Sequence, residues 1–436
     1  MKGKTIFGWT LIICLCFTPS FLWYYLGEGA SELSDYGSIT HSLGEVAGLI
    51  AMTMFALTFV LSMRLKFIEN MFNGLDKVYI AHGILGGSAL VLILFHPIFL
   101  VLKFIPNDMR QAALYLLPSS YWSVNFGIIA LVGMIFLIYL TLFVKIKYHK
   151  WKFTHEFLGL VFIFAILHIF LVRGEASGDN IFKGYYIYAT IVSLMGLGAF
   201  SYSLFLKNRL FKAAVYRVLS VSKKNINTYE IILYPEHKPI SYQSGQFIFL
   251  RFYNENLSKE PHPFSIASRS NNPEIKIIIK ELGDFTKKLI HLKPGDKASI
   301  EGPYGRFNYK RSEKDQIWLA GGIGITPFIG MAEDMPYLKL NNKVDLYYSA
   351  STNEDFIGLE ELNGFASRHR NFRLIPWVTK NQGYLKLEDI NRISGNIVNK
   401  EFYLCGPNAF KKGIIRDLLK IGISKRNIHT EEFEFR

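Results

Sequence analysis

Four histidines carry the most pointed chemistry in this sequence. His82 and His96 lie in one apolar run, and His155 and His168 lie in another. An imidazole is costly inside a bilayer, so one placed there suggests a ligand or a relay. The first pair is 14 residues apart and the second 13; at ~1.5 Å of rise per residue, each spans about 20 Å along a helix axis. If both runs start on the same side of a membrane, His82 matches His155 in depth and His96 matches His168. Such pairs could hold two stacked haems by bis-histidine ligation, one in each leaflet, making a wire for electrons. The competing reading is histidines bonded to neighbouring helices or facing water; matched depths on two helices favour the haem reading. Fourteen residues at roughly 100° each return to nearly the same helix face, and 13 do not. The helix with His155 and His168 is therefore expected to carry a local distortion or compensating rotamers. Pro97 could kink the other helix. His41 and His149 read as solvated.

A second chemical feature is glycine-rich. Residues 317–320 read as a buried strand, followed by the turn Gly321-Gly322-Ile323-Gly324-Ile325-Thr326-Pro327. Glycine lets a backbone approach phosphates, and a helix N-terminus supplies oriented N–H groups, so a pyrophosphate suits this turn. Taken alone, the turn also suits a strand-to-helix connection that binds nothing.

Six apolar runs, at 6–26, 42–63, 78–102, 122–144, 153–172 and 184–206, must position the histidines. Each is about 20 residues long, enough to cross ~30 Å of hydrocarbon. The first lacks an Ala-x-Ala-like cleavage site and is read as a retained span. Lys2, Lys4, Arg64, Lys66, Lys77, Lys145, Lys147, Lys150, Lys152, Lys207, Arg209 and Lys212 fall on one side. Lys103, Arg110, Arg173 and Lys183 face Glu28, Glu32 and Asp35 on the other. The basic side is expected to be cytoplasmic and to hold both termini, making a multi-pass protein of the cell membrane. The net charge of +14 is largely this topology signal; the basic residues flank spans and form no stripe for nucleic acid. Cys14, Cys16 and Cys405 are the three cysteines, too few for a disulfide framework or a zinc site. No Cys-x-x-Cys-His occurs, so any haem would be held non-covalently.

The 436 residues divide by composition into a membrane half, 1–211, and a soluble remainder. Residues 215–220, 228–234, 246–252 and 274–280 read as strands of a small antiparallel barrel, placed at 212–312. From residue 313 to 436, strands at 317–320, 344–349, 372–378 and 402–405 alternate with helical stretches. That alternation indicates a parallel, doubly wound sheet.

Several short motifs then fall in one order. His262-Pro263-Phe264-Ser265, with Ile-Ala-Ser268 after it, resembles the flavin signature of the ferredoxin reductase superfamily in the form used by NADPH oxidases and ferric reductases. Lys280 with Gly283-Asp284-Phe285-Thr286 resembles the second flavin motif, and Gly302-Pro-Tyr-Gly305 the loop between the two soluble subdomains. Leu404-Cys405-Gly406-Pro407 resembles the element near the nicotinamide. Glu431-Glu-Phe433 resembles the Glu-x-Phe ending whose aromatic covers the flavin, with Phe435 as the alternative to Phe433. The membrane half resembles the ferric-reductase transmembrane domain, and the histidine spacings are those of animal NADPH oxidases.

The resemblance implies a membrane all-α six-helix bundle plus a ferredoxin-reductase-like soluble half. That half would comprise an antiparallel β-barrel for FAD and a Rossmann-like α/β subdomain for NADPH or NADH. It implies that Ser265, Cys405, Glu431 and Phe433 serve hydride transfer, and that two haem b groups bind the four histidines. The expected activity is electron transfer from cytoplasmic NAD(P)H across the membrane to O2, producing superoxide. Alternatives are a ferric or cupric reductase, acting on an external metal chelate with the same wiring, or a donor to a partner protein or quinone. In animal oxidases a His stands four residues after the outer ligand; here that position is Leu100. Arg173 or Arg110 could supply positive charge nearby. From another class, the spans could form a transporter or anchor with a degenerate reductase, which the complete motif set argues against. Ser349 and Ser351 suit a 2′-phosphate, while Glu354 and Asp355 oppose one, so use of both dinucleotides is expected. No Asp-x-Asp-x-Asp-Gly loop precedes the first span, so activity without calcium or a cytosolic activator is expected. Membrane lipid is the expected environment.

Overall fold

The structure is a computed structural model that describes residues 2–26, 35–105, 107–176, 183–207, 213–337 and 342–431. The chain forms two compact units, Met1–Phe211 and Lys212–Arg436.

Six helices in the first unit are long and apolar enough to cross a membrane. They are built from α1 (Lys2–Leu26), α2 (Tyr36–Ser62), α4 (Leu75–Leu102), α6 (Trp122–Phe143), the pair α7 (Tyr148–Glu156) and α8 (Leu158–Ala176), and α9 (Lys183–Ser201), which a π-turn extends over Tyr202–Leu206. Two short helices, α3 (Lys66–Phe72) and α5 (Met109–Leu114), join the spans. Helix α2 starts earlier than its apolar run because Asp35 caps it. The Asp35 carboxylate accepts from the Ser38 N–H at 3.0 Å and Ser38 Oγ accepts from the Asp35 N–H at 3.1 Å, a reciprocal capping box. Met52, Phe55, Ala56, Ala89, Ala130, Met134, Val161 and Phe162 form the shared core. Gly196 is one of the small residues that let the helices close up; a Cβ there would lie 2.5 Å from the Phe162 ring.

Helix α2 packs along α4 and α6 along α8, whereas α4 and α8 do not pack closely on each other. The fifth span is broken at Phe157. Its N–H bonds back three residues to the Thr154 carbonyl at 3.2 Å, a tightened turn. His155 therefore lies in the last turn of the helical piece before this turn, and His168 in the piece after it. Of the two outcomes expected from a 13-residue spacing, a local distortion or compensating rotamers, a one-residue interruption of the helix at Phe157 is present. Helix α4, by contrast, runs unbroken through Pro97.

The second unit opens with strands β1 (Ala214–Asn225), β2 (Thr228–Pro235), β3 (Phe247–Tyr253), β4 (His262–Ser265), β5 (Ile275–Lys280) and β6 (Lys297–Tyr304), with α10 (Asp284–Lys287) between the last two. They form one antiparallel sheet in the order β4-β3-β6-β1-β2-β5. A bridge between Ile266 and Ile277 joins the two edges of that sheet, curling it into a barrel around Tyr216, Ile231, Leu250, Phe252 and Ile277. The parallel sheet has the order β11-β10-β7-β8-β9. Its strands are β7 (Gln316–Gly321), β8 (Val344–Ala350), β9 (Phe372–Val378), β10 (Glu401–Cys405) and β11 (Ile428–Thr430). Every residue of β7, β8 and β10 is buried, as expected of a sheet covered on both faces. Its helices are α11 (Thr326–Asp334), α12 (Leu359–Arg368), α13 (Thr379–Gln382), α14 (Leu387–Ser394) and α15 (Asn408–Lys420). Strands β4, β6 and β11 were not among the strands read from the sequence. β4 holds a proline, and β11 is three residues long.

Candidate functional site

In the first unit the histidines meet across the gap between α4 and the α7–α8 pair. The rings of His82 and His155 have centroids 6.1 Å apart, and so do those of His96 and His168. Imidazole nitrogens bind a transition metal at about 2.0–2.1 Å, so two rings on one metal axis, their centres about 1.1 Å further back, stand about 6.3 Å centre to centre. Both pairs match that spacing.

Each ring is also held from behind. His96 Nδ1 is 2.7 Å from the Gly44 carbonyl oxygen, His168 Nδ1 is 2.8 Å from that of Ser123, and His82 Nδ1 is 2.9 Å from that of Thr58. His155 Nδ1 instead meets Thr141 Oγ1 at 3.2 Å. A carbonyl accepts only from a protonated Nδ1, which leaves Nε2 as the metal-binding atom, the usual arrangement of a ligating histidine. The two outer rings reach their carbonyls over glycines one helical turn on. A Cβ at Gly48 would lie 2.8 Å from His96 Nδ1, and one at Gly127 would lie 2.7 Å from His168 Nδ1. A cleft of about 530 Å³ is lined by Gly83, Ile84, Gly87, Ser88, Val91 and Leu92. It opens on another face of α4, since Gly83 and Gly87 stand about 100–140° round the helix from His82.

In the barrel the two flavin-type motifs meet through their rings. His262 stacks on Phe285 with centroids 3.8 Å apart, and Phe264 lies 6.4 Å from Phe285. Pro263 sits between them on β4, opposite Phe249. Ser265 is buried and its Oγ has no partner among the described residues. Such an atom fits a polar group of a bound molecule. Thr286 Oγ1 accepts from the Leu282 and Gly283 N–H groups at 2.8 and 3.0 Å. Its hydroxyl shapes the turn that presents Asp284 and Phe285. Lys280 closes β5, opposite Thr228. Gly302 and Gly305 have φ of +131° and +96°, which favours glycine.

The nucleotide-type residues converge between β7 and β10. These strands are parallel neighbours, registered with Ala320 opposite Cys405. The chain leaves β7 toward β8 and β9 and returns on the other side at β10, so the carboxyl ends of β7 and β10 flank the switch point where such sheets bind ligands. A Cβ at Gly324 would overlap the Cys405 carbonyl, and one at Gly321 would lie 3.1 Å from Pro407. A Cβ at Gly406 would lie 3.0 Å from the Gly321 backbone. Gly322, at φ +53°, has open space where its Cβ would stand. Thr326 Oγ1 donates to the Ile323 carbonyl at 2.8 Å, and Pro327 follows in the first turn of α11. Cys405 itself is fully buried. Glu431 approaches the barrel loop, its Oε1 3.3 Å from where a Gly305 Cβ would be, and the Lys411 ammonium donates to its carbonyl at 2.8 Å. Phe433 and Phe435 lie outside the described residues, as does the side chain of Arg173.

Family profiles match three consecutive regions. A ferric reductase like transmembrane component matches residues 47–166, an FAD-binding domain residues 213–308, and an oxidoreductase NAD-binding domain residues 318–415. The chain has the ferric reductase/NADPH oxidase-like architecture of the ferredoxin reductase superfamily. The transmembrane match includes His82, His96 and His155 and stops two residues short of His168. The chain is 23% identical over 256 residues to the F component of the Na(+)-translocating NADH-quinone reductase of Idiomarina loihiensis, covering 47% of this chain and 63% of that protein. It is 25% identical over 233 residues to the toluate 1,2-dioxygenase electron transfer component of Pseudomonas putida, covering 51% and 67%. It thus spans two thirds or less of the curated relatives it matches, down to 40% of the corresponding Pseudomonas aeruginosa quinone reductase component. Among solved structures, flavohemoglobin from Malassezia yamatoensis superposes with a TM-score of 0.51 at 16% identity, over 92% of this chain and 99% of that one. Amycolatopsis cytochrome P450 reductase GcoB gives a TM-score of 0.46 at 21% identity, over 51% and 70%. These likenesses concern fold.

This ferric reductase-like chain also uses residues that the motifs do not name. Gly330 on α11 lets that helix ride on the end of the flavin-type motif, since a Cβ there would lie 2.7 Å from the Ser268 carbonyl oxygen. Ser244 and Ser270 each donate to Asp334 at 2.9 Å, and Lys310 pairs with it at 2.6 Å. Glu333 pairs with Lys276 at 2.5 Å and accepts from the Arg269 N–H at 3.1 Å. Burial and the Glu361 carboxyl push Glu333 up to about 6 against the pull of Lys276. The helix that begins at the glycine turn thus ends in two carboxylates clamped to the barrel. At the end of β8, the Asp355 carboxylate is spent on the Thr352 N–H at 3.1 Å, and the Lys380 N–H bonds the Ser351 carbonyl at 3.3 Å.

Proposed function

We propose that this chain takes electrons from NAD(P)H on the cytoplasmic side, through FAD and two haem b groups, to O2 on the far side, yielding superoxide. The paired histidines carry this reading: two sets of rings, each 6.1 Å between centroids, with every Nδ1 engaged behind. Among the described residues no group of three or more metal-ligating side chains occurs. Two nitrogens per site suit an iron whose other positions a porphyrin fills. When bound, the flavin turns a two-electron hydride donor into single electrons and the haems relay them.

The chain's own residues position these groups. The turn from Gly321 to Pro327 holds the dinucleotide pyrophosphate close to backbone N–H groups. The Cys405-Gly406-Pro407 end of β10 flanks the nicotinamide. Ser265 offers its unpartnered hydroxyl to the flavin ring, and the Phe285–His262 stack walls the site. His82 and His155 hold the inner centre, His96 and His168 the outer one. With two histidines committed to each centre, a bound haem would pass electrons to an acceptor without offering it an iron position of its own. The Lys/Arg bias supports cytoplasmic termini.

Reduction of an external ferric or cupric chelate is the second reading. Leu100 favours it, since its Cδ2 lies 2.8 Å from where a Gly44 Cβ would stand, putting a methyl where animal oxidases have a histidine. The test is oxygen uptake by purified protein with NADPH and FAD, with and without superoxide dismutase, against Fe(III)-chelate reduction. Two b-type haems per chain, and oxygen uptake accompanied by dismutase-sensitive reduction of added cytochrome c, are expected. A preparation without Soret absorbance overturns the wire, and chelate reduction without oxygen uptake replaces the acceptor.

A further inference from the structure

We infer that Thr141 is a positioning residue that sets how strongly His155 donates to its metal, and so gives the inner centre a different electronic character from the outer one. The inference rests on the bis-histidine haem reading above. Three of the four rings lean on backbone carbonyls, at 2.7, 2.8 and 2.9 Å. His155 alone leans on a side chain, at 3.2 Å. The Thr141 hydroxyl donates its proton to the Leu137 carbonyl at 2.8 Å, one turn back on α6. A hydroxyl has one proton to give. With that proton committed, Thr141 Oγ1 can only accept from His155, which fixes Nδ1 as protonated and Nε2 as the free donor.

An acceptor behind Nδ1–H raises the basicity of the ligating nitrogen and favours the oxidised metal. A hydroxyl at 3.2 Å is a longer and weaker support than a carbonyl at 2.7–2.9 Å. His155 also lies in the last turn of α7, just before the turn residue Phe157, and Trp151 stacks on it at 5.3 Å. Among the described residues no backbone carbonyl stands in for the hydroxyl. Thr141 is thus the point where one side chain tunes one centre and leaves the other alone.

The test is an optical potentiometric titration of both haems, with low-temperature EPR of the ferric protein, in Thr141→Val, Thr141→Ser and wild type. In Thr141→Val one of the two midpoint potentials rises and one low-spin signal shifts, while the other centre stays at its wild-type values. Thr141→Ser restores both. Loss of one haem in Thr141→Val, with both retained in Thr141→Ser, also supports the role, because a ring without its fixed tautomer binds iron less tightly. If Thr141→Val does not accumulate, Thr141→Ala carries the same expectation. Unchanged potentials in the hydroxyl-free variants, a shift of both centres together, or an equal shift in Thr141→Ser overturns the inference. A wild-type protein without haem sinks the underlying reading instead.

Discussion

The membrane unit and the soluble unit build their sites by opposite means. In the membrane unit the reactive groups are four side-chain nitrogens, and the backbone holds them: carbonyls of Thr58, Gly44 and Ser123 fix three of the four rings. In the second unit the backbone at Gly321, Gly324 and Gly406 forms the surface, and side chains act at a distance from it: Asp334 and Glu333 tie the far end of α11 to the barrel and Lys411 ties the Glu431 carbonyl. A bilayer explains the difference. It offers no water to satisfy a bare loop, so the membrane unit keeps its backbone helical and lets side chains reach out. The soluble sheet can end its strands in open turns because water and ligand can meet their N–H groups.

The sharpest way to break this comparison is to remove one ring. His168→Ala should abolish the outer centre and the reduction of external acceptors, while NAD(P)H continues to reduce the flavin. Stopped-flow absorbance separates the two events, and unchanged acceptor reduction would remove the outer pair from the path.

The matching change in the soluble unit adds an atom. Gly324→Ala places a Cβ on the Cys405 carbonyl, so the ends of β7 and β10 must part. Flavin reduction by NAD(P)H should slow by about 100-fold, the usual cost of a 1 Å misplacement at a reacting centre. Reduction of the haems by dithionite should be unaffected. A variant as fast as wild type would show that this crevice does not hold the dinucleotide.

A smaller effect tests the clamp beneath the glycine turn. Glu333 is held at about 6, above its ordinary 4.5. The folded form therefore binds this proton more tightly than the unfolded form. The group's contribution to stability is complete below the ordinary value and is lost as pH rises through about 6. Glu333→Gln cannot titrate, so the melting temperature of wild type relative to the variant should fall between about pH 4.5 and 6.5, by no more than a few degrees. A difference that stays flat, measured by differential scanning fluorimetry, would place the Lys276–Glu333 pair outside the folding balance.

The sequence was most readable where function rides on residue identity. His82, His96, His155 and His168 showed in their spacing which rings pair, because a helix converts separation into depth. His262–Ser265 and Cys405–Pro407 stood out by motif, and the structure sets the first against Phe285 and the second against Gly321 and Gly324. The 13-residue spacing implied a local distortion or compensating rotamers, and the helix carries one turn residue at Phe157. Gly48 and Gly127 were not legible. Each is one glycine among many, and its purpose depends on a ring arriving from another helix. Thr141 was hidden for the same reason, 14 residues from the ring it supports. Gly330 and Asp334 lie past the glycine turn, in helical sequence with no motif of its own.

Composition and spacing alone determined six spans, two units and the identities of the groups able to do chemistry, since these follow from hydropathy and from residue type. Folding decided which nitrogen of each imidazole faces inward, which carbonyls stand behind the rings, and how closely β7 approaches β10. Those are distances between segments remote in the chain, and close packing sets them where no local pattern can.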